Sequence, residues 1–224
     1  MKKFSLALLA LATALAITPA QSVWATTIPV NNADFSAQSS PFSNPCAGIC
    51  TYTSPGFAIT DWTNSGDSGL WNPTSTYFTS STGATNVAFS NGPTISQTVG
   101  ATVQAGHVYT LTVEIGNRLD GSYWDNPGAN LLVTGIDGGT YYATGTEPAQ
   151  GDFSVYTATF TGNALNAGDS ITIDLTTSGD QGDFSAVSLV SNPTPEPSSL
   201  LLLGTGLLGL AFVAFRKVKA SGLA

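Results

Sequence analysis

Tyr109-Thr110-Leu111-Thr112-Val113-Glu114-Ile115 alternates apolar and polar side chains at every step. A period of two belongs to a β-strand with one buried and one wetted face, whereas a helix repeats its apolar residues at intervals of three and four. The same alternation returns outward along the chain. Ile171, Ile173 and Leu175 alternate with Thr172, Asp174 and Thr176, and Tyr156, Ala158 and Phe160 alternate with Thr157, Thr159 and Thr161. Further strands are predicted over residues 57–62, 86–89, 95–99, 130–136, 141–144 and 184–190. Turn-forming residues separate them at Gly100, Gly106, Asn126-Pro127-Gly128, Asp137-Gly138-Gly139, Gly162-Asn163 and Gly179-Asp180. About nine short strands between residues 26 and 194 predict an all-β fold, a two-layer antiparallel jelly-roll sandwich large enough to hold its own core.

Charge divides the 224 residues sharply. Lys2 and Lys3 open the chain and Arg216, Lys217 and Lys219 close it; between residues 26 and 194 the single cation Arg118 stands against 13 acids, a net charge of −12. One cation cannot replace the counterions of a phosphate backbone, so nucleic acid is excluded as a partner, and so is a polybasic membrane-surface role.

Both ends predict export. Residues 1–25 combine a basic start, an apolar run from Phe4 to Ile17 and the small-residue pattern Val23-Trp24-Ala25, which read as a signal peptide that signal peptidase removes to leave Thr26 first. At the other end, residues 195–219 hold Pro195-Glu196-Pro197, an uncharged stretch of 18 residues from Ser198 to Phe215, and a basic cluster. At ~1.5 Å per residue the uncharged stretch covers roughly 27 Å of a hydrocarbon core about 30 Å thick, so a transmembrane helix is predicted over 198–215. The basic cluster places residues 220–224 at the cytoplasmic end, with residues 26–194 on the far side of that membrane.

Pro195, Glu196 and Pro197, the apolar segment with Gly204, Gly206 and Gly209, and the basic pair Arg216 and Lys217 resemble the PEP-CTERM sorting signal, a tail that also accompanies some ice-binding proteins. The resemblance implies an exosortase partner in the inner membrane of a Gram-negative envelope, cleavage near Pro-Glu-Pro, a transient anchor, and a cell-surface or extracellular-matrix destination linked to exopolysaccharide. The body is similar to something known as well. Gln97, Gly106, Tyr109, Thr110, Leu111 and Gly116-Asn117-Arg118, with the ending from Ser178 to Leu189, resemble the jelly-roll ectodomains common among PEP-CTERM proteins, which are similar in outline to carbohydrate-binding modules. The last strand of that family usually reads Phe-Asp-Asn-Val, and here the run is Phe184-Ser185-Ala186-Val187. In related sandwiches an acid near this strand helps hold a structural Ca²⁺. With that acid absent, Asp183 and Asp34 are the nearby candidates for calcium, and no other cofactor is expected.

Several residue sets bear on chemistry. Cys46 and Cys50, the only cysteines, lie in a chain bound for an oxidising compartment, so a disulfide is expected; a zinc site would want four ligands, and the chain has one His. That His107 opens a strand, and a Ser-His-Asp triad would have to use it, although no nucleophile-elbow string is present. Glu114 on a polar strand face and Glu147 in a loop are candidates for the paired carboxylates of a glycoside-active enzyme, against the plainer reading of solvating acids. The loop from Arg118 to Asn126 sets Arg118 beside Asp120, Tyr123, Trp124 and Asp125. An aromatic ring there can receive the C–H face of a sugar while polar groups fix its hydroxyls, and Trp62, Trp71 and Tyr77 offer a second platform; the alternative is a loop tied by its own ion pair. Threonine-bearing strand faces admit an ice-matching surface, but no strict repeat sets an even lattice.

The sequence therefore predicts an exported, transiently anchored protein that is not an enzyme and associates non-catalytically with exopolysaccharide through Arg118, Asp120, Tyr123, Trp124 and Asp125. Two alternatives stand beside it: a structural matrix protein or adhesin with protein partners, and a glycoside-active enzyme.

Overall fold

A computed structural model describes residues 24–38, 44–46, 50–52, 58–80, 86–121, 127–135, 137–194 and 197–221. The chain forms two compact units, one of them Ala25–Pro193. Among the described residues this unit has twelve strands: β1 (Thr26–Ile28), β2 (Asn44–Cys46), β3 (Cys50–Tyr52), β4 (Ser68–Asn72), β5 (Val87–Ser90), β6 (Ile95–Thr102), β7 (His107–Asn117), β8 (Gly128–Thr134), β9 (Gly139–Tyr142), β10 (Asp152–Thr161), β11 (Ser170–Thr176) and β12 (Gly182–Pro193).

They make two antiparallel sheets. The larger runs β10-β7-β12-β5-β4-β3-β2, with β1 also paired to β12, and the smaller runs β6-β11-β8-β9. Period-two burial explains how they stack. Tyr109, Leu111, Val113 and Ile115 of β7 are buried in one core with Ile171, Ile173 and Leu175 of β11, while the threonines between them are only half-buried. Each sheet gives one face to that core, the sandwich that the alternation predicts.

Two local expectations change. Residues 58–62 form no strand: Ile59 makes one isolated bridge to Gln38, and Asp61 adopts a φ of 65° that ends an extended run. Trp62 accordingly turns into the main core, its ring 5.3 Å from that of Phe35. Conversely, Ser-Gly-Leu-Trp-Asn forms β4, whose glycine and flanking serine hide its strand character from propensity. In β2 and β3, Cys46 lies opposite Cys50. Cross-strand neighbours are close enough for the expected bridge, although the two side chains lie outside the described residues.

The other unit contains helix α1 (Pro197–Ser221), which coincides with the apolar tail. Among the described residues no helix is long and apolar enough to cross a membrane. Pro195 and Glu196 lie outside the described residues.

Candidate functional site

The outer face of the large sheet carries a second, separate cluster. Leu70 and Ala88 point into the main core, so their neighbours Trp71, Val87 and Phe89 turn outward, where they pack with Phe78 and the partly buried Tyr77 and Phe153. Gly116 of β7 lies beneath this group. A Cβ at Gly116 would sit 2.6 Å from Phe153 Cε1 and 2.8 Å from Phe78 Cε1, so the missing side chain is what lets the two rings, 4.5 Å apart, rest on the sheet.

Asp183 stands on the same face. It is paired across the sheet with Phe89 of β5 and Gly116 of β7, while the next residue, Phe184, points into the main core. Only 2% of Asp183 is exposed. Its Oδ1 accepts a hydrogen bond from Trp71 Nε1–H at 3.0 Å and another from Gln181 Nε2–H at 2.8 Å. Burial pushes the Asp183 pKa up to about 7. The Gln181 hydrogen bond, the Arg118 charge and the Trp71 hydrogen bond oppose that rise, and the Asp120 charge adds to it. Desolvation wins because the carboxyl has left water altogether.

Arg118 closes over this acid. Its Nη1–H donates to Gln181 Oε1 at 3.0 Å and its Nη2–H to Asp120 Oδ2 at 2.7 Å. Its guanidinium carbon lies 4.6 Å from the Tyr77 ring centroid and 5.2 Å from that of Trp71. The only cation of the exported domain is thus held by an amide, a carboxylate and two aromatic faces. Glu114, two residues before Gly116 and opposite Ser185, shares the sheet face; its Oε2 is buried without a hydrogen-bond partner among the described residues, and burial raises its pKa.

Of the residues singled out from sequence, Arg118 and Asp120 meet, and Trp71 and Tyr77 join them, whereas Trp62 belongs to the main core. Tyr123, Trp124 and Asp125 lie outside the described residues. Glu147 is in an exposed segment. His107 Nδ1 lies 2.9 Å from Ser191 Oγ, at the opposite end of β7 from Gly116. Asp183 itself was legible only as a calcium candidate, since nothing local marks it as buried under an indole.

The described residues do not fit calcium. Among them no three His, Cys, Asp or Glu side chains gather as a metal site. Asp34 Oδ1 is occupied by the Ser36 amide and hydroxyl, and Asp183 Oδ1 by the N–H groups of Trp71 and Gln181, so neither presents that oxygen to a cation.

Comparison with known proteins identifies a family for the sandwich and a motif for the tail. The HpiC1-like family, described as HpiC1 cyclase, matches residues 26–190, and a PEP-CTERM protein-sorting motif matches residues 193–217. No curated protein matches the chain. Among solved structures, a cyclase from Fischerella sp. TAU is similar at a TM-score of 0.60 and 22% identity, over 77% of this chain and 100% of that one. A Fischerella sp. TAU cyclase in complex with 4-(1H-indol-3-yl)butan-2-one is similar at 0.57 and 21%, over 76% and 100%. The CBM22-1 xylan-binding domain of Paenibacillus barcinonensis Xyn10C is similar at 0.43 and 10%, over 66% and 95%. The sorting tail and the jelly-roll outline stand as the sequence implied. The expectation that the domain is not an enzyme is overturned by the cyclase family match, which spans most of the chain. That expectation took the acids as solvating carboxylates, because residue identity carries no information about burial.

Proposed function

Because the chain belongs to the HpiC1-like cyclase family, we propose that its exported domain catalyses a ring closure started by proton donation from Asp183. The observation that carries this reading is a carboxyl raised to about 7 at the floor of an aromatic cluster. Such an acid keeps its proton near neutral pH and still gives it up readily, whereas an ordinary aspartic acid would already have lost it. Protonation of a carbon–carbon double bond leaves a cation that a second unsaturated group of the same substrate can attack, and the cyclised cation then loses a proton to the Asp183 carboxylate, which gives a neutral ring and restores the acid. The faces of Trp71 and Tyr77 can stabilise that charge, and the surrounding rings Phe78 and Phe153 exclude the water that would quench it. Trp71 and Gln181 orient the acid from one oxygen, Oδ1. Substrate entry requires the arm of Arg118 and Gln181 to turn aside.

The indolyl ketone bound by the Fischerella cyclase supplies the probe. In D₂O the protein should accelerate deuterium uptake into the indole ring of 4-(1H-indol-3-yl)butan-2-one, and Asp183→Asn should lower that rate by about 100-fold or more while the fold is retained. Equal rates in the two proteins would overturn the assignment.

The chain is exported and sorted through its PEP-CTERM motif. Removal of residues 1–25, exosortase cleavage near residues 195–197, transient anchoring through residues 198–215 and delivery to the cell surface or matrix complete the proposed route. Glu196→Gln should leave uncleaved protein in the inner membrane, and unchanged processing would count against that route. Polysaccharide is proposed as a second partner, at the loop that begins with Arg118 and Asp120, because that ion pair borders the half-buried ring of Tyr77. Retention of the protein on the organism's extracted polysaccharide checks this, and absence of retention removes the partner.

A further inference from the structure

The guanidinium of Arg118 is a planar cation of about the size of a small ligand head group, and its contacts with Trp71, Tyr77, Asp120 and Gln181 match what such a ligand would need. Two aromatic faces lie within 5.2 Å of its central carbon, Asp120 supplies a carboxylate at 2.7 Å, and Gln181 supplies an acceptor oxygen at 3.0 Å. Gln181 also reaches the catalytic candidate, since its Nε2–H donates to Asp183. The slot is largely closed: the Arg118 side chain is 11% exposed and that of Asp120 37%. Its surroundings carry no second cation, because the exported domain has none, and a net charge of −12 favours a positive occupant. When Arg118 swings out, the slot loses its positive charge and keeps Asp120 and two electron-rich ring faces, so a neutral occupant would leave that charge unreplaced.

We propose that this slot is a binding site for a planar organic cation, and that Arg118 holds the place of that ligand in the resting protein. This rests on reading the Asp183 face as the reaction site: the positive group that protonation creates on the substrate, planar and delocalised, would take the position the guanidinium vacates. Arg118 is then a positioning residue that keeps the slot shaped and closed between turnovers.

The binding claim can be tested apart from the chemistry. The chain contains two arginines, Arg118 and Arg216, so selective ¹⁵N labelling of arginine in the full chain gives two Nε–H signals. Phenylguanidinium added to the wild-type protein should shift the Arg118 signal and leave Arg216 in place, whereas neutral, nearly isosteric phenylurea at the same concentration should shift neither. In Arg118→Ala the Asp183 carboxyl should titrate above the wild-type value, because a lowering charge is gone, and millimolar guanidinium should bring it back while urea and sodium chloride do not. Should the alanine variant unfold, Arg118→Gln allows the same comparison with a planar neutral side chain in place. An Arg118 signal unmoved by phenylguanidinium, or moved equally by phenylurea, overturns the proposal. The deuterium-uptake result for Asp183→Asn is independent of both, so loss of the cation site leaves the proton-donor reading standing, and the reverse holds.

Discussion

Trp71 Nε1–H donates to Asp183 Oδ1 at 3.0 Å across 112 residues of sequence, joining β4 to β12 on the outer face of the large sheet. The indole does two things to the acid. It removes water, which raises the carboxyl pKa, and it donates a hydrogen bond, which lowers it; desolvation is the larger effect. Trp71→Phe keeps most of the apolar cover and deletes the donor, so the Asp183 pKa should rise above its wild-type value of about 7. Carboxyl-labelled NMR titration measures this, and an unchanged or lower midpoint would contradict the assigned hydrogen bond.

The raised pKa of Asp183 also fixes a sign for stability. Between its ordinary value of 3.8 and about 7, the folded state holds a proton that the unfolded chain has released. Stability from this group is therefore fully present below pH 3.8 and falls as pH rises through about 7. The loss amounts to at most about 4 kcal/mol, from about 1.4 kcal/mol per pKa unit. Asp183→Asn should remove that component, so the difference between wild-type and variant denaturation midpoints should narrow or change with pH in this window. A difference constant from pH 4 to pH 8 would refute the shift.

Ala186 occupies a φ of 45°, where the pairing of β12 with β7 shifts register between Ser185 and Ser188. The bulge is fixed in place by Val187 N–H, which donates to Ala33 O at 2.9 Å. A side chain in this left-handed conformation costs about 1–2 kcal/mol, and glycine escapes most of it at the expense of a looser unfolded chain. Ala186→Gly should therefore stabilise the domain by up to about 1 kcal/mol, and Ala186→Val should destabilise it. Urea midpoints at constant m-value would show this; a destabilising glycine would mean that the bulge is not strained.

Gly116→Ala should act in the opposite direction. The new methyl meets the rings of Phe153 and Phe78 at under 3 Å, so both must move off the sheet beside Asp183. A cost of about 1–3 kcal/mol is expected, together with altered near-ultraviolet circular dichroism from the displaced aromatic cluster. Unchanged stability and spectrum would indicate that the rings do not rest on Gly116.

Cys46 and Cys50 face each other across β2 and β3, so the exported protein should show no thiol-reactive cysteine and an intact mass two hydrogens below the reduced form. The enclosed loop is short, so reduction should cost only about 2 kcal/mol. Two titratable thiols in protein recovered from the extracytoplasmic side would exclude the bridge.

The strands of the main core were readable because their signal is local. Tyr109, Leu111, Val113 and Ile115 announce a buried face by spacing alone, and the structure buries all four. Strand β4 was not readable, since its Ser68 and Gly69 owe their burial to neighbours rather than to propensity. Arg118, Asp120, Trp71 and Tyr77 could each be singled out by residue type, yet no spacing shows that the guanidinium lies over both rings or that Trp62 belongs elsewhere.

The linear chain by itself determined a β-sandwich followed by a C-terminal sorting motif, because period-two alternation, an apolar run and terminal charges are properties of neighbouring residues. Tertiary structure alone decided that Asp183 is a buried acid with a raised pKa rather than a solvated carboxylate. A proton's affinity depends on which groups exclude water and which donate hydrogen bonds, and here those groups come from β4, β7, the residues just before β12 and the turn after β7. Only the pairing of strands far apart in sequence brings them to one carboxyl.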